Sequence, residues 1–107
     1  MYAKMHSRKG LDGTKYSVFA LCDAELLGKY FEEGDFALDI KANAAFYKGE
    51  KVSKTQAVTL IRKAVRDDHA SLNIVGKKSV DALRASGVKG FATRKVAGVP
   101  HVQVFHV

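Results

Sequence analysis

Ser53-Lys54-Thr55-Gln56-Ala57-Val58-Thr59-Leu60-Ile61-Arg62-Lys63-Ala64-Val65-Arg66 is the stretch that decides the fold. Its first four residues form a capping box, in which the Ser53 hydroxyl accepts from the Gln56 amide N–H and the Gln56 side chain reaches back to the Ser53 N–H. A helix therefore starts here. Ala57, Val58, Leu60, Ile61, Ala64 and Val65 fill about 160° of the helical wheel, and Arg62, Lys63 and Arg66 take the sector beside them. One face is core and the other is basic. Strand signals precede this helix. Residues 2–6 and 16–22 are β-rich and flank a charged loop with two glycines at 7–15, which predicts a hairpin. Asp23 is placed to cap a short helical turn at 24–27, ended by Gly28. Phe36, Leu38 and Ile40 alternate with Ala37 and Asp39, the period of a half-buried strand, after a turn at 32–35. Residues 41–52 carry no clear period.

Beyond the helix, residues 72–75 read as extended, and 77–86 as a second, weaker helix with Val80 and Leu83 inward and Gly87 just past its end. Residues 88–96 read as mixed and extended, 98–100 as a turn and 101–107 as a closing strand. Strands come early, helices in the middle and a strand returns last, without regular βα alternation. The pattern predicts an α+β, two-layer fold: a mostly antiparallel sheet with two main helices packed on one face.

The chain has 107 residues, which predicts one domain over 1–107, and its 47% apolar content is enough for a core without staples. Its one cysteine excludes an intrachain disulfide, and without a Cys pair the usual closed zinc sites are excluded too, so no metal and no cofactor is expected. The first ten residues are polar and basic, and no run approaches the roughly 18 apolar residues of a membrane span, so a cytoplasmic protein without a membrane partner is expected. The net charge is +7 and uneven: residues 1–50 carry 7 basic and 8 acidic side chains, residues 51–107 carry 11 and 3. A one-sided basic surface points to a polyanion, RNA above all.

Arg62, Lys63 and Arg66, joined by Lys77 and Lys78, are the candidate phosphate contacts. Gly76-Lys77-Lys78-Ser79 is no Walker motif, because the upstream glycine is missing and Lys78 breaks the triplet. As a helix opening it still offers free N–H groups and a positive dipole end to an anion. No aromatic pair resembling an RNA-stacking platform stands out. Asp67-Asp68 is expected to end the helix and pair with nearby cations. Cys22 reads as a buried, unreactive thiol, or as a nucleophile should His6, His69, His101 or His106 approach it. Gly98, Pro100, His101 and Gln103 form a candidate functional turn, with His101 and Gln103 on one strand face.

Cys22-Asp23-Ala24-Glu25-Leu26-Leu27-Gly28-Lys29 with Phe31-Glu32-Glu33-Gly34, then Phe46-Tyr47-Lys48-Gly49-Glu50, Asn73-Ile74-Val75-Gly76 with Val80, and Gly98-Val99-Pro100-His101-Val102-Gln103 together resemble the archaeal family known as domain of unknown function 424. The stretches are spread over almost the whole chain in the family's order, whereas 8–15 and 89–97 follow no family pattern. The resemblance implies an archaeal, cytoplasmic, single-domain α+β protein and no established activity, cofactor or catalytic residue. The leading expectation is an RNA-binding or ribosome-associated accessory protein that contacts the phosphate backbone through the basic helix face. The alternative is a protein-interaction module using an acidic N-terminal half and a Phe46-Tyr47 surface. An enzyme built on Cys22 or His101 comes third.

Overall fold

The computed structural model describes residues 1–105. Its elements run β1 (Tyr2–Lys9), β2 (Lys15–Cys22), a 3₁₀ turn (Ala24–Leu26), β3 (Tyr30–Glu33), β4 (Phe36–Asp39), α1 (Ala44–Tyr47), β5 (Glu50–Lys51), α2 (Lys54–Ala64), β6 (Ala70–Val75), α3 (Lys77–Ala85), β7 (Arg94–Val96) and β8 (Val99–Val104). Six strands form the main sheet in the order β5-β1-β2-β6-β8-β7, and β3 and β4 form a separate hairpin. Every pairing is antiparallel except β2 with β6. The α+β class and the mostly antiparallel sheet are as the sequence predicts.

Strand alternation sends each residue to one of two sheet faces. Phe19, Leu21, Leu72, Ile74 and Val102 face α2 and α3, which bury Ala57, Ile61, Val80 and Leu83 against them. This is the main core. Ser53 caps α2 with both bonds of the capping box: Gln56 N donates to Ser53 Oγ at 3.2 Å, and Ser53 N to Gln56 Oε1 at 2.9 Å. The opposite face is covered at one end only. There the β3–β4 hairpin and α1 bury Leu38, Ile40 and Tyr47 against Ala20, Cys22, Val75 and Val96. The two main helices thus pack on one face of the sheet, as expected, and a small third layer covers part of the other face.

Several local readings change. Residues 32–33 belong to β3 rather than to a turn, because Phe31 and Glu33 pair with Leu38 and Phe36 across a tight Gly34-Asp35 turn. The unreadable stretch 41–52 holds α1 and β5. The turn before the last strand is Ala97-Gly98, so Val99 and Pro100 already lie in β8. Within 88–96 only Arg94–Val96 is a strand.

Candidate functional site

Asp23 is where the expected phosphate site is decided. Its side chain does not cap the turn that follows it. Instead the carboxylate crosses to the start of α3, accepting from Lys78 N at 3.0 Å, Ser79 N at 2.8 Å and Ser79 Oγ at 2.7 Å. Gly76 permits this approach: its φ is +106°, and any Cβ there would collide with the Asp23 carboxylate. Asp23 is 3% exposed, so the anion at this helix N-terminus is the chain's own. Lys77 and Lys78 are exposed beside a closed site, and Lys78 Nζ lies 3.6 Å from Glu25.

The other expected contacts also separate. Arg62 Nε donates to Ser86 O at 3.1 Å, tying α2 to the end of α3. Nine residues of α3 rise about 13 Å, so Arg62 and the two lysines stand at opposite ends of that helix. Lys63 borders a groove with Lys15 and Asp67, and Arg66 lies past the end of α2. A single basic patch of Arg62, Lys63, Arg66, Lys77 and Lys78 is therefore not assembled. Asp67 accepts from His69 N at 2.9 Å, and neither Asp67 nor Asp68 pairs with a cation among the described residues.

Cys22 is fully buried, its thiol donates to Asp23 O at 3.3 Å, and burial first, then Asp23 and Glu25, push its pKa up to about 12. His101 stands opposite Val75, which stands opposite Cys22, so their Cα atoms are two strand spacings apart, about 10 Å, and no hydrogen bond joins the two side chains. No Cys–His pair forms among the described residues; His106 lies outside them. Gly98, Pro100, His101 and Gln103 are not one turn. Pro100, His101 and Gln103 extend along β8, where His101 and Gln103 line one shallow depression.

What the fold does bring together is the uncovered end of the second sheet face. A cleft of about 850 Å³ lies there, with Tyr16, Phe46 and Phe105 on its walls and Ser71, Asn73 and Gln103 among its polar lining groups. His6 stacks on Phe46 with ring centroids 4.4 Å apart and planes 2° apart, and its Nε2–H donates to Phe46 O at 2.8 Å. Lys4 Nζ donates to Ala45 O at 2.6 Å. These two β1 side chains satisfy the free carbonyls of α1 and seat that helix at the cleft edge. On the other side His69 packs edge-on against Tyr16 at 5.4 Å, and the Arg8 guanidinium lies 5.8 Å from the Tyr16 ring centre.

Asn73 organises the floor. Its Oδ1 accepts from His101 Nε2 at 3.0 Å and Tyr47 OH at 3.3 Å, which fixes the amide and the imidazole tautomer together. Burial, and secondarily Arg94, hold the His101 pKa below its ordinary value. A second depression of about 420 Å³ carries Arg94 and His101 and shares Gln103 and Phe105 with the first, so the two are neighbours on this face. Arg94 itself lies 4.1 Å over the Phe36 ring. Tyr47 is buried, so the expected Phe46-Tyr47 docking surface is reduced to one stacked ring. Tyr16 and Phe105 draw no reading as site residues from the sequence, and His69 and Asn73 draw others, His69 as a possible base for Cys22 and Asn73 as part of a family-like stretch, because the spacing of the four in the chain is that of unrelated segments.

The family model described as "Protein of unknown function (DUF424)" matches residues 12–107. Among solved structures, the chain is similar to an uncharacterized conserved protein from Methanopyrus kandleri, with a TM-score of 0.78 and 26% identity over 100% of this chain and 93% of that one. No curated protein matches. No helix among the described residues is long and apolar enough to cross a membrane.

Proposed function

The chain belongs to this family of unknown function, and from its site we propose that it binds single-stranded cytoplasmic RNA at the open end of its sheet, with a base in the cleft between Tyr16, Phe46 and Phe105. The convergence of three aromatic rings from three distant segments on one cleft carries this reading. Phe105 supports it further, since a phenylalanine that is 67% exposed finds no place in the core. Aromatic walls offer a base two stacking surfaces, and the amides of Asn73 and Gln103 offer hydrogen bonds to its edge. Arg8 borders the cleft and Arg94 the neighbouring depression, and both could meet backbone phosphates of a strand crossing this face. The interface so proposed is the sheet face and not the helix face.

Fluorescence anisotropy with a labelled 12-nucleotide single-stranded RNA tests this. Phe105→Ala should weaken binding roughly tenfold, as the loss of one stacked base predicts, without disturbing the fold. The triple change Arg62→Gln, Lys63→Gln, Arg66→Gln should leave affinity within about twofold. With two phosphate contacts, log K should fall with log salt at a slope of about −1.4. The reverse pattern, a silent Phe105→Ala and a flattened salt slope in the triple variant, would return the interface to the helices. Comigration with ribosomal subunits on a low-salt gradient would identify the RNA as ribosomal.

A further inference from the structure

The outer edge of β1 is an unfilled place in the sheet. β5 pairs only with Tyr2 and Ala3, which leaves β1 unaccompanied from Lys4 to Lys9. Backbone direction follows from two bonds: Val52 N donates to Met1 O on the β5 side, and Ser17 N, across from Ser7, donates away from β1 to His69 O in the loop before β6. Odd-numbered residues of β1 therefore point their N–H and C=O groups outward. At Met5, Ser7 and Lys9 these groups meet no strand among the described residues. They are three ready rungs.

Charge along the edge selects what would fit them. Lys9 and Lys15 stand directly opposite each other across β1 and β2, where like charges repel. Lys63 and Lys15 border a groove of about 540 Å³ on the same sheet face, with Met5, Leu60 and Phe19 providing apolar surface in it. Met5 is 50% exposed at its mouth. Glu50 and Asp67 are the acidic residues there, and Lys15 and Lys63 with Lys9 at the strand's edge outnumber them.

We propose that the free edge of β1 docks an extended acidic peptide segment of another protein, adding a strand beside Met5, Ser7 and Lys9 and setting a side chain in the groove next to Met5. Main-chain bonds supply the attachment, and the groove and the lysines supply the choice of peptide. A second copy of this chain fits poorly. Antiparallel pairing of β1 with itself about Ser7 would set Arg8 opposite His6 and Lys9 opposite Met5 of the other copy, and β1, which carries Lys4, Arg8 and Lys9 and no acidic residue, offers nothing to answer the added positive charge. The charges that keep neutral and basic strands off this edge admit an acidic one.

The probe is a fluorescein-labelled eight-residue peptide alternating valine with glutamate, with a valine–lysine peptide as control. The full-length protein should bind the first and not the second. Binding should slow amide hydrogen exchange at Met5, Ser7 and Lys9 at least tenfold, a signature that surface charge attraction alone would not produce. Ser7→Pro should abolish binding while Ser7→Ala keeps it, since the Ser7 N–H makes no ladder bond in the free protein. Lys9→Glu removes the clash with Lys15, so it folds, and it should weaken the glutamate peptide at least fivefold. Equal binding of both peptides, unprotected amides, or an unaffected Lys9→Glu variant would overturn the proposal. So would a dimer by light scattering that protects the same amides without peptide.

Discussion

Along β6, neighbouring residues live in different solvents. Leu72 and Ile74 are buried under α2 and α3, whereas Ser71 and Asn73, one residue away, line an open cleft. The helix-covered face is sealed by apolar packing, and the other is organised by hydrogen bonds and stacked rings at its open end. The contrast teaches where stability and function are divided in this molecule: one strand period separates a position that holds the fold from a position free to meet a ligand.

The sharpest way to break that division is to change both kinds of position on the same strand. Ile74→Ala should lower unfolding free energy by about 3 to 4 kcal/mol, because it leaves a cavity in the main core. Ser71→Ala should stay within about 0.5 kcal/mol. Urea unfolding measures both, and equal losses would mean that the cleft face is packed as tightly as the core.

Asp23 belongs to neither face and tests whether the joint between them matters. Asp23→Ala strands the N–H groups of Lys78 and Ser79 and the Ser79 hydroxyl, and should cost about 3 kcal/mol in the same assay. Gly76→Ala, where a Cβ meets the carboxylate at a strained φ, should also destabilise, and a double variant that loses less than the sum of the two single losses would show that both changes break one contact.

The smallest effect concerns pH. Since the folded protein holds His101 below its usual pKa of 6.5, the unfolded chain takes up the proton first as pH falls. The contribution of this neutral histidine is full above about pH 6.5 and declines on acidification through the lower folded pKa. Proton NMR titration should place the His101 midpoint below 6.5. Arg94→Gln should raise it only slightly, because burial is the larger cause.

Local chemistry was legible in the chain and long-range chemistry was not. The capping box at Ser53 and Gln56, the hairpin of β1 and β2 and the alternation at Phe36 to Asp39 each depend on residues within one element. The basic face of α2 was legible too, but not that Arg62 would serve the end of α3, 24 residues away. Residues 77–86 read correctly as a helix, but the carboxylate that meets its opening at Gly76–Ser79 sits 56 residues upstream of Ser79 and could not be read from that segment. The cleft is the extreme case. His6, Tyr16, Phe46, His69 and Phe105 meet only because β1, β2, β6, β8 and α1 are stacked in an order that no local period encodes.

The single parallel pairing has a kinetic consequence. β1 with β2 closes as a short hairpin and Val75 meets His101 26 residues on, but Ser17 meets Ala70, 53 residues on, only after the hairpin β3–β4, α1, β5 and α2 have been threaded between them. Loop closure on that scale is slow compared with hairpin formation. This order of closure predicts a folding transition state in which the two sides meet along the β2–β6 seam, with the Asp23 latch closing at the seam's end after it. Substitutions at Asp23 should accelerate unfolding and leave the folding rate nearly unchanged, whereas those at the seam's centre, such as Leu21 or Leu72, should slow folding itself.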